Sequence, residues 1–310
     1  MTLSPMKSLP SGDGADTGDA ATMPHVSAIH AAKEAALAAA KAQCEEQLIR
    51  RDFQGAYATI VESVKDAVGL YGKASLHLVP HYLCMAEVGL ELSHMNQVEE
   101  VLALCIWNIV KSTEEDAANE SKTLSHRALV CKFYGRYHSE CEHFDEAIKQ
   151  AANGAYYASL VHGPEHIVTS TLYYTLGAIF QKNFRTEEAL GMFDKVVEIW
   201  YKHLAAATTS QRNQDDGFLS LEAKQSNVIE RIHHEGAAIL VHVLDTRGKI
   251  LGETHIATGE VQYTMGLLRL YMGDMGAAKQ AILKALSIYT DALGSLHPST
   301  VDVQSVLDQF

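Results

Sequence analysis

Residues Ser170–Val196 read STLYYTLGAIFQKNFRTEEALGMFDKV, and the spacing within this stretch decides the fold. Tyr173, Leu176, Gly177 and Phe180 fall three and four residues apart, which places them on one face of a helix. Ala189, Phe193 and Val196 repeat that spacing on a second helix. Gly177 and Ala189 have too little bulk to hold two helix axes apart, while Leu176, Phe180 and Phe193 fill the space around the crossing. Neither helix can bury its apolar face alone, so the unit predicts a stack of such pairs sharing one core.

The order aromatic, Leu-Gly, aromatic, then Ala and Phe on the second helix is the tetratricopeptide repeat (TPR) signature. A second unit carries Met265 and Gly266, a Gly273-Asp274 turn, and Ala278, Ile282 and Ala285; only Arg269 departs from the pattern. The small residue of the second helix serves as a phase marker along the chain: Ala56, Val98, Ala147, Ala189, Gly236 and Ala278, at intervals of 42, 49, 42, 47 and 42. The reading is an all-α, TPR-like superhelical solenoid of about six pairs, near 28–70, 78–111, 122–161, 166–204, 216–249 and 254–292. A capping helix is expected at 298–310, and the two long intervals place enlarged polar loops at 112–121 and 205–217. Gly72, Gly163, Gly252 and Gly294 each stand sixteen residues after a marker, and the last three continue as Gly-x-x-His through His166, His255 and His297. A glycine there can cap a helix in the left-handed conformation, and Pro164 or Pro298 then starts the next helix. The 42-residue period and the joint at Leu293–Pro298 resemble, in architecture, the longer-helix TPR units of kinesin light chains.

Outward from this core, residues 1–25 hold three of the six prolines and the run Ser11-Gly12-Asp13-Gly14, which predicts a flexible tail before a single domain at 26–310. No secretory leader and no apolar run of membrane-spanning length is expected. Lys and Arg number 25 against 38 Asp and Glu, a formal charge of -13. That charge repels a phosphate backbone, so nucleic acid is not an expected partner, and it weakens direct docking on acidic tubulin. The five cysteines show no Cys-x-x-Cys pair and sit in apolar helical patterns, which fits a reducing compartment.

Enzyme motifs are not found. Gly248-Lys249 lacks the rest of a phosphate loop, and His234-Glu235 is followed by Gly236-Ala237-Ala238 rather than a second zinc histidine. No catalytic residue, metal or cofactor is expected. Cys131, His138, Cys141 and His143 are all zinc-binding types, but Cys131 and His138 occupy repeat positions on a helix, and short structural zinc sites present paired ligands across a turn. Sixteen histidines, among them His81, His94, His126 and His203 at unrelated phases, predict no designed pH switch. The run Glu114-Glu115-Asp116 reads as a solvated loop.

The repeat phase predicts which side chains line the concave face: Leu83 and Glu87, Lys132 and Arg136, Tyr174 and Lys182, and Tyr263, Leu267 and Tyr271. Aromatic and apolar anchors there suit a partner helix or an extended segment.

Leu70–Ser112 reads LYGKASLHLVPHYLCMAEVGLELSHMNQVEEVLALCIWNIVKS, with YYASLVHGPEHIVTSTLYYTLGAIF and VVEIWYKHL further on. This resembles the TPR region of the ciliary MYND-type zinc-finger protein twelve family, over roughly residues 45 to 290. Its most specific parts are Tyr71–Pro80 and Trp107–Ser112. The paired cysteines of the family's finger are missing, so zinc binding is not carried over. The resemblance implies an axonemal protein of motile cilia or flagella, associated with inner dynein arms and with another TPR protein. The expected function is a non-enzymatic adaptor; the competing expectation is a cytosolic cargo or chaperone adaptor of the kinesin light chain kind.

Overall fold

A computed structural model describes residues 23–113, 120–211 and 223–310, with the side chains of 23–27, 113, 208–211 and 223–230 left aside. All regular structure among them is helical. The helices are α1 (Met23–Ile49), α2 (Phe53–Tyr71), α3 (Val79–Glu91), α4 (Met95–Thr113), α5 (Glu120–Glu140), α6 (Phe144–His162), α7 (Ile167–Lys182), α8 (Thr186–Gln211), α9 (Ala223–Leu251), α10 (Ile256–Tyr271), α11 (Met275–Leu293) and α12 (Pro298–Leu307). The expected tail lies outside the described residues except its last three, which open α1, and so does Glu114-Glu115-Asp116. The polar stretch expected as a loop from 205 is still helical as far as Gln211.

Five pairs stack in succession: α1–α2, α3–α4, α5–α6, α7–α8 and α10–α11, with α12 closing the end against α11. The phase marker has a structural meaning. Ala56, Val98, Ala147, Ala189 and Ala278 are each the fourth residue of a second helix, and each is essentially inaccessible. The amide of each donates to the carbonyl four residues back, which closes the first turn. Opposite them stand the small residues of the first helices. A methyl group on Gly177 would meet the Phe193 ring at 2.7 Å, and one on Gly266 would meet Ile282 Cγ1 at 2.5 Å. Cys44 takes the equivalent place in the first pair, its thiol reaching the Ala56 carbonyl at 3.5 Å.

The joints between pairs share one construction. Gly72, Gly163, Gly252 and Gly294 all have positive φ. Three residues on, Nδ1 of His166, His255 or His297 accepts from the amide two residues further, at 3.2 Å in each case, and caps the next helix. Ser75 does the same after Gly72, accepting from His77 at 3.3 Å.

The expected fifth pair, near 216–249, is where sequence and structure part. Over Ala223–Leu251 there is one continuous helix, α9, and α10 packs directly on α8 as the next first helix. The stack therefore holds five described pairs with α9 inserted between the fourth and the fifth, rather than six. A physical reason lies in the residue four before each marker. Asp52, His94, His143, Arg185 and Asp274 are polar and sit comfortably in a turn, whereas Ile232 packs against the core. With no polar residue to meet water or take up free amides, the helix runs on.

Candidate functional site

The first helices touch one another in succession, α1 with α3, α3 with α5 and α5 with α7, and so form the inner, tighter layer of the stack. Helix α9 lies along that layer. Arg231 pairs with Glu45 of α1 and, at 3.6 Å, with Glu87 of α3. Glu235 receives the Lys132 ammonium of α5 at 2.6 Å. His242 meets the edge of the Tyr174 ring of α7, centroids 5.6 Å apart, and Thr246 accepts from Gln181 of α7 at 3.1 Å. Residues 231, 235, 242 and 246 follow helical spacing, so one stripe of α9 reads four consecutive first helices.

The opposite stripe seals α9 against the second half of the stack. His233 packs at 4.6 Å on the Tyr271 ring of α10 and at 6.0 Å on Trp200 of α8, a fully buried ring that also lies over Gly236. Arg247, 1% exposed, pairs with Asp194 of α8, lies 3.7 Å from Glu260 of α10 and donates to the Ala257 carbonyl. Burial alone would raise the Glu235 carboxyl, yet the Lys132 ammonium, with Arg231 and Arg136 nearby, holds it below its ordinary value of 4.5.

Most of the expected concave residues thus have partners within the chain. Lys132, Tyr174, Glu87 and Tyr271 engage α9. Arg136 pairs with Glu91 at 2.7 Å and Lys182 with Glu140 at 2.8 Å, each joining neighbouring first helices. Leu83 and Leu267 are core residues, 5% and 4% exposed, and Tyr263 is equally buried with its hydroxyl donating to Asp302 of α12 at 2.9 Å. A helix does lie in the groove, and it belongs to this chain. Reading the sequence placed Leu83 and Leu267 on the surface because periodicity marks which residues share a face, but not how far the neighbouring pair wraps over it. Of the repeat residues, Phe180, Ala189, Phe193, Gly177, Gly266 and Ala278 are buried at helix crossings, and Tyr173 and Leu176 pack against the same core.

The repeat is also visible by comparison. A tetratricopeptide repeat family model matches residues 259–291. Those residues are the pair α10–α11, in which the glycine crossing, the left-handed turn and the capped second helix all occur. A solved structure described as kinesin light chain nearly identical TPR-like repeats, from Podospora anserina, aligns at 15% identity over 68% of this chain and 95% of that one, with a TM-score of 0.30. At that score the likeness adds nothing to what the helix order itself shows.

Among the described residues no three His, Cys, Asp or Glu side chains come close enough to hold a metal ion, and none of the helices is long and apolar enough to cross a membrane. Cys131 and Cys141 are half-buried free thiols on α5 and in the turn after it, and the rings of His138 and His143 stand 6.1 Å apart.

The outer layer also offers accessible apolar surface. On α4, Leu104, Ile106, Trp107 and Val110 are 41–48% exposed, and Lys111 lies 5.3 Å over the Trp107 ring. Tyr156 and Leu160 of α6 are similarly exposed. Between the two helices, floored by α5, runs a groove of about 300 Å³ lined by Ile106, Val110, Cys131, Tyr134 and Tyr157. Nothing in the α4 sequence distinguishes these side chains from core positions, which is why the reading of the inner face passed over them.

Proposed function

We propose that this chain is a non-enzymatic structural adaptor of the motile-cilium axoneme, joining inner-dynein-arm or neighbouring components, another TPR protein among them. The observation that carries the adaptor reading is the outer face of α4. Four large apolar side chains stand in solvent within two turns of one helix, a pattern of protein-binding surfaces. The axonemal part rests on the resemblance carried by Tyr71–Pro80 and Trp107–Ser112. The first of these segments builds the joint at Gly72 and Ser75, and the second is the end of α4 that presents Trp107 and Val110. Its inner face is filled by α9, so partners meet the outer layer.

Detergent extraction of ciliated cells tests both parts. The full chain should stay with the microtubule skeleton, and Trp107→Ala with Val110→Ser should reduce that retention about tenfold or more while leaving helicity unchanged. Release of the wild-type chain with the soluble fraction would favour a cytosolic cargo adaptor of the kinesin light chain kind and overturn the axonemal placement.

A further inference from the structure

A cavity of about 480 Å³ opens between α8, α10, α11 and α12, away from both α9's inner stripe and the α4 surface. Three tyrosines form its walls. Tyr201 is the most open at 39% exposed, and its ring lies 6.0 Å from that of Tyr263 at a 43° tilt. Tyr289, 6% exposed, lies against Gly259, where a side chain would strike its ring at 3.0 Å. The rim is acidic: Asp194, Glu198, Glu260 and Asp302 all line it, and no Lys, Arg or His does.

The charges around the cavity do not balance. Arg247 serves both Asp194 and Glu260 from behind the wall. Lys195 and Lys202 hold Glu198 at 3.1 and 2.7 Å, but they hold Glu165 as well. Asp302 has only the Tyr263 hydroxyl, with no cation in contact among the described residues. Five carboxylates therefore share three cations. The Tyr289 side chain is an independent sign of a missing ligand, since it lines the cavity while only 6% exposed and its hydroxyl has no hydrogen-bond partner among the described residues. Burial holds the Glu260 carboxyl above its ordinary value, with Asp194 adding to the effect and Arg247 opposing it.

We propose that this cavity binds an arginine side chain presented by a protein partner. Aromatic faces beside carboxylates favour cations through the ring quadrupole and through charge. Guanidinium fits better than ammonium, because its plane can stack on Tyr201 while its five donors reach Asp302, Glu198 and the oxygen of Tyr289. The net charge of -13 draws such a partner from a distance. The proposal rests on the protein-binding reading above only for the arginine being a partner's.

Calorimetric titration of the full chain with N-acetyl-arginine amide tests the cavity itself. The matching citrulline amide, the lysine amide and choline are run in parallel. Saturable arginine binding is expected, about tenfold or more tighter than citrulline, and weakening as salt rises. Tyr201→Ala, which opens no core, and Asp302→Asn, which keeps an acceptor for Tyr263, should each weaken it severalfold while their thermal melts stay near wild type. Binding of citrulline as tight as arginine, tighter binding of lysine or choline, no saturation, or indifference to both variants would each overturn the proposal. Arginine binding by a chain that does not stay with axonemes would leave the cavity standing and remove the axonemal reading alone.

Discussion

Residues 259–291 and residues 223–251 carry the same small-residue marker at the same period, Ala278 in one and Gly236 in the other, yet the first folds as a helix pair and the second as a single helix. The difference lies in the turn. Five residues before Ala278 stands Gly273, left-handed at φ 82°, and then Asp274, whose carboxylate accepts from the Ala277 amide at 3.1 Å. Five residues before Gly236 stands Arg231, helical, and then Ile232, which cannot cap. A marker repeated at fixed period shows where two helices could cross closely; only a residue able to leave the helix decides that they do.

The close crossing is where that comparison should break most sharply. Gly177→Leu forces a side chain into the Phe193 ring, and overpacking of this kind should cost about 3 kcal/mol, with a clear fall in melting temperature. Gly191, also helical but with open space around it, is the control. Gly191→Ala should raise stability by about 0.5–1 kcal/mol, because only helix propensity changes. Equal effects at the two positions in denaturant melts would refute the repeat register.

The inserted helix can be loosened through its charges. Glu235→Gln leaves the Lys132 ammonium, only 11% exposed, without its counter-ion, and should cost about 1–2 kcal/mol, between surface and buried pair values. The carboxyl of Glu235 lies below its ordinary value in the folded chain, so its contribution is complete above pH 4.5 and is lost as pH falls through the lowered value. Burial, with Lys122 and His77, drives His126 down to about 4 from 6.5, so its share of stability fades earlier, between pH 6.5 and about 4. Hydrogen exchange along α9 separates the two. Glu235→Gln should speed exchange in α9 already at pH 7 and flatten its acid dependence, while His126→Gln leaves α9 unaffected.

Much of the pair architecture was legible because its signals are local. A glycine facing a ring, an alanine at the fourth helical position and Gly-x-x-His at a joint each act within a turn or two of chain. His255→Ala should accordingly cost about 1 kcal/mol and His255→Asn much less, since Asn also caps; a chemical melt of the two variants side by side checks this. The role of Ser75 went unseen since it replaces the histidine while keeping its lone pair in place. Less of the site could be read. That Lys132 and Tyr174 meet Glu235 and His242 depends on where α9 lies, a matter of contacts between segments 103 and 68 residues apart that no periodicity encodes. The cavity of Tyr201, Tyr263 and Tyr289 is likewise assembled from four helices, and of the three rings only Tyr263 lies on the face that the repeat phase predicts.

The smallest effect is the most direct test of why one marker heads a pair and the other does not. Arg51 and Arg231 are the same residue at the same phase, five before Ala56 and five before Gly236. Arg51 is left-handed at φ 60° and exposed, whereas Arg231 lies within α9. A side chain in the left-handed region carries a steric cost that glycine escapes, while in a helix glycine is the poorer residue by its greater freedom when unfolded. Comparing alanine with glycine at each position removes the lost arginine contacts from the account, including the pairs of Arg231 with Glu45 and Glu87. Arg51→Gly should therefore be more stable than Arg51→Ala by about 0.5–1 kcal/mol, and Arg231→Gly less stable than Arg231→Ala by a similar amount. Denaturant midpoints of the four variants read the sign directly. If glycine were favoured over alanine at both positions, a turn would form before Gly236 as well, and α9 would be the second half of a sixth pair rather than a single helix laid along the inner face.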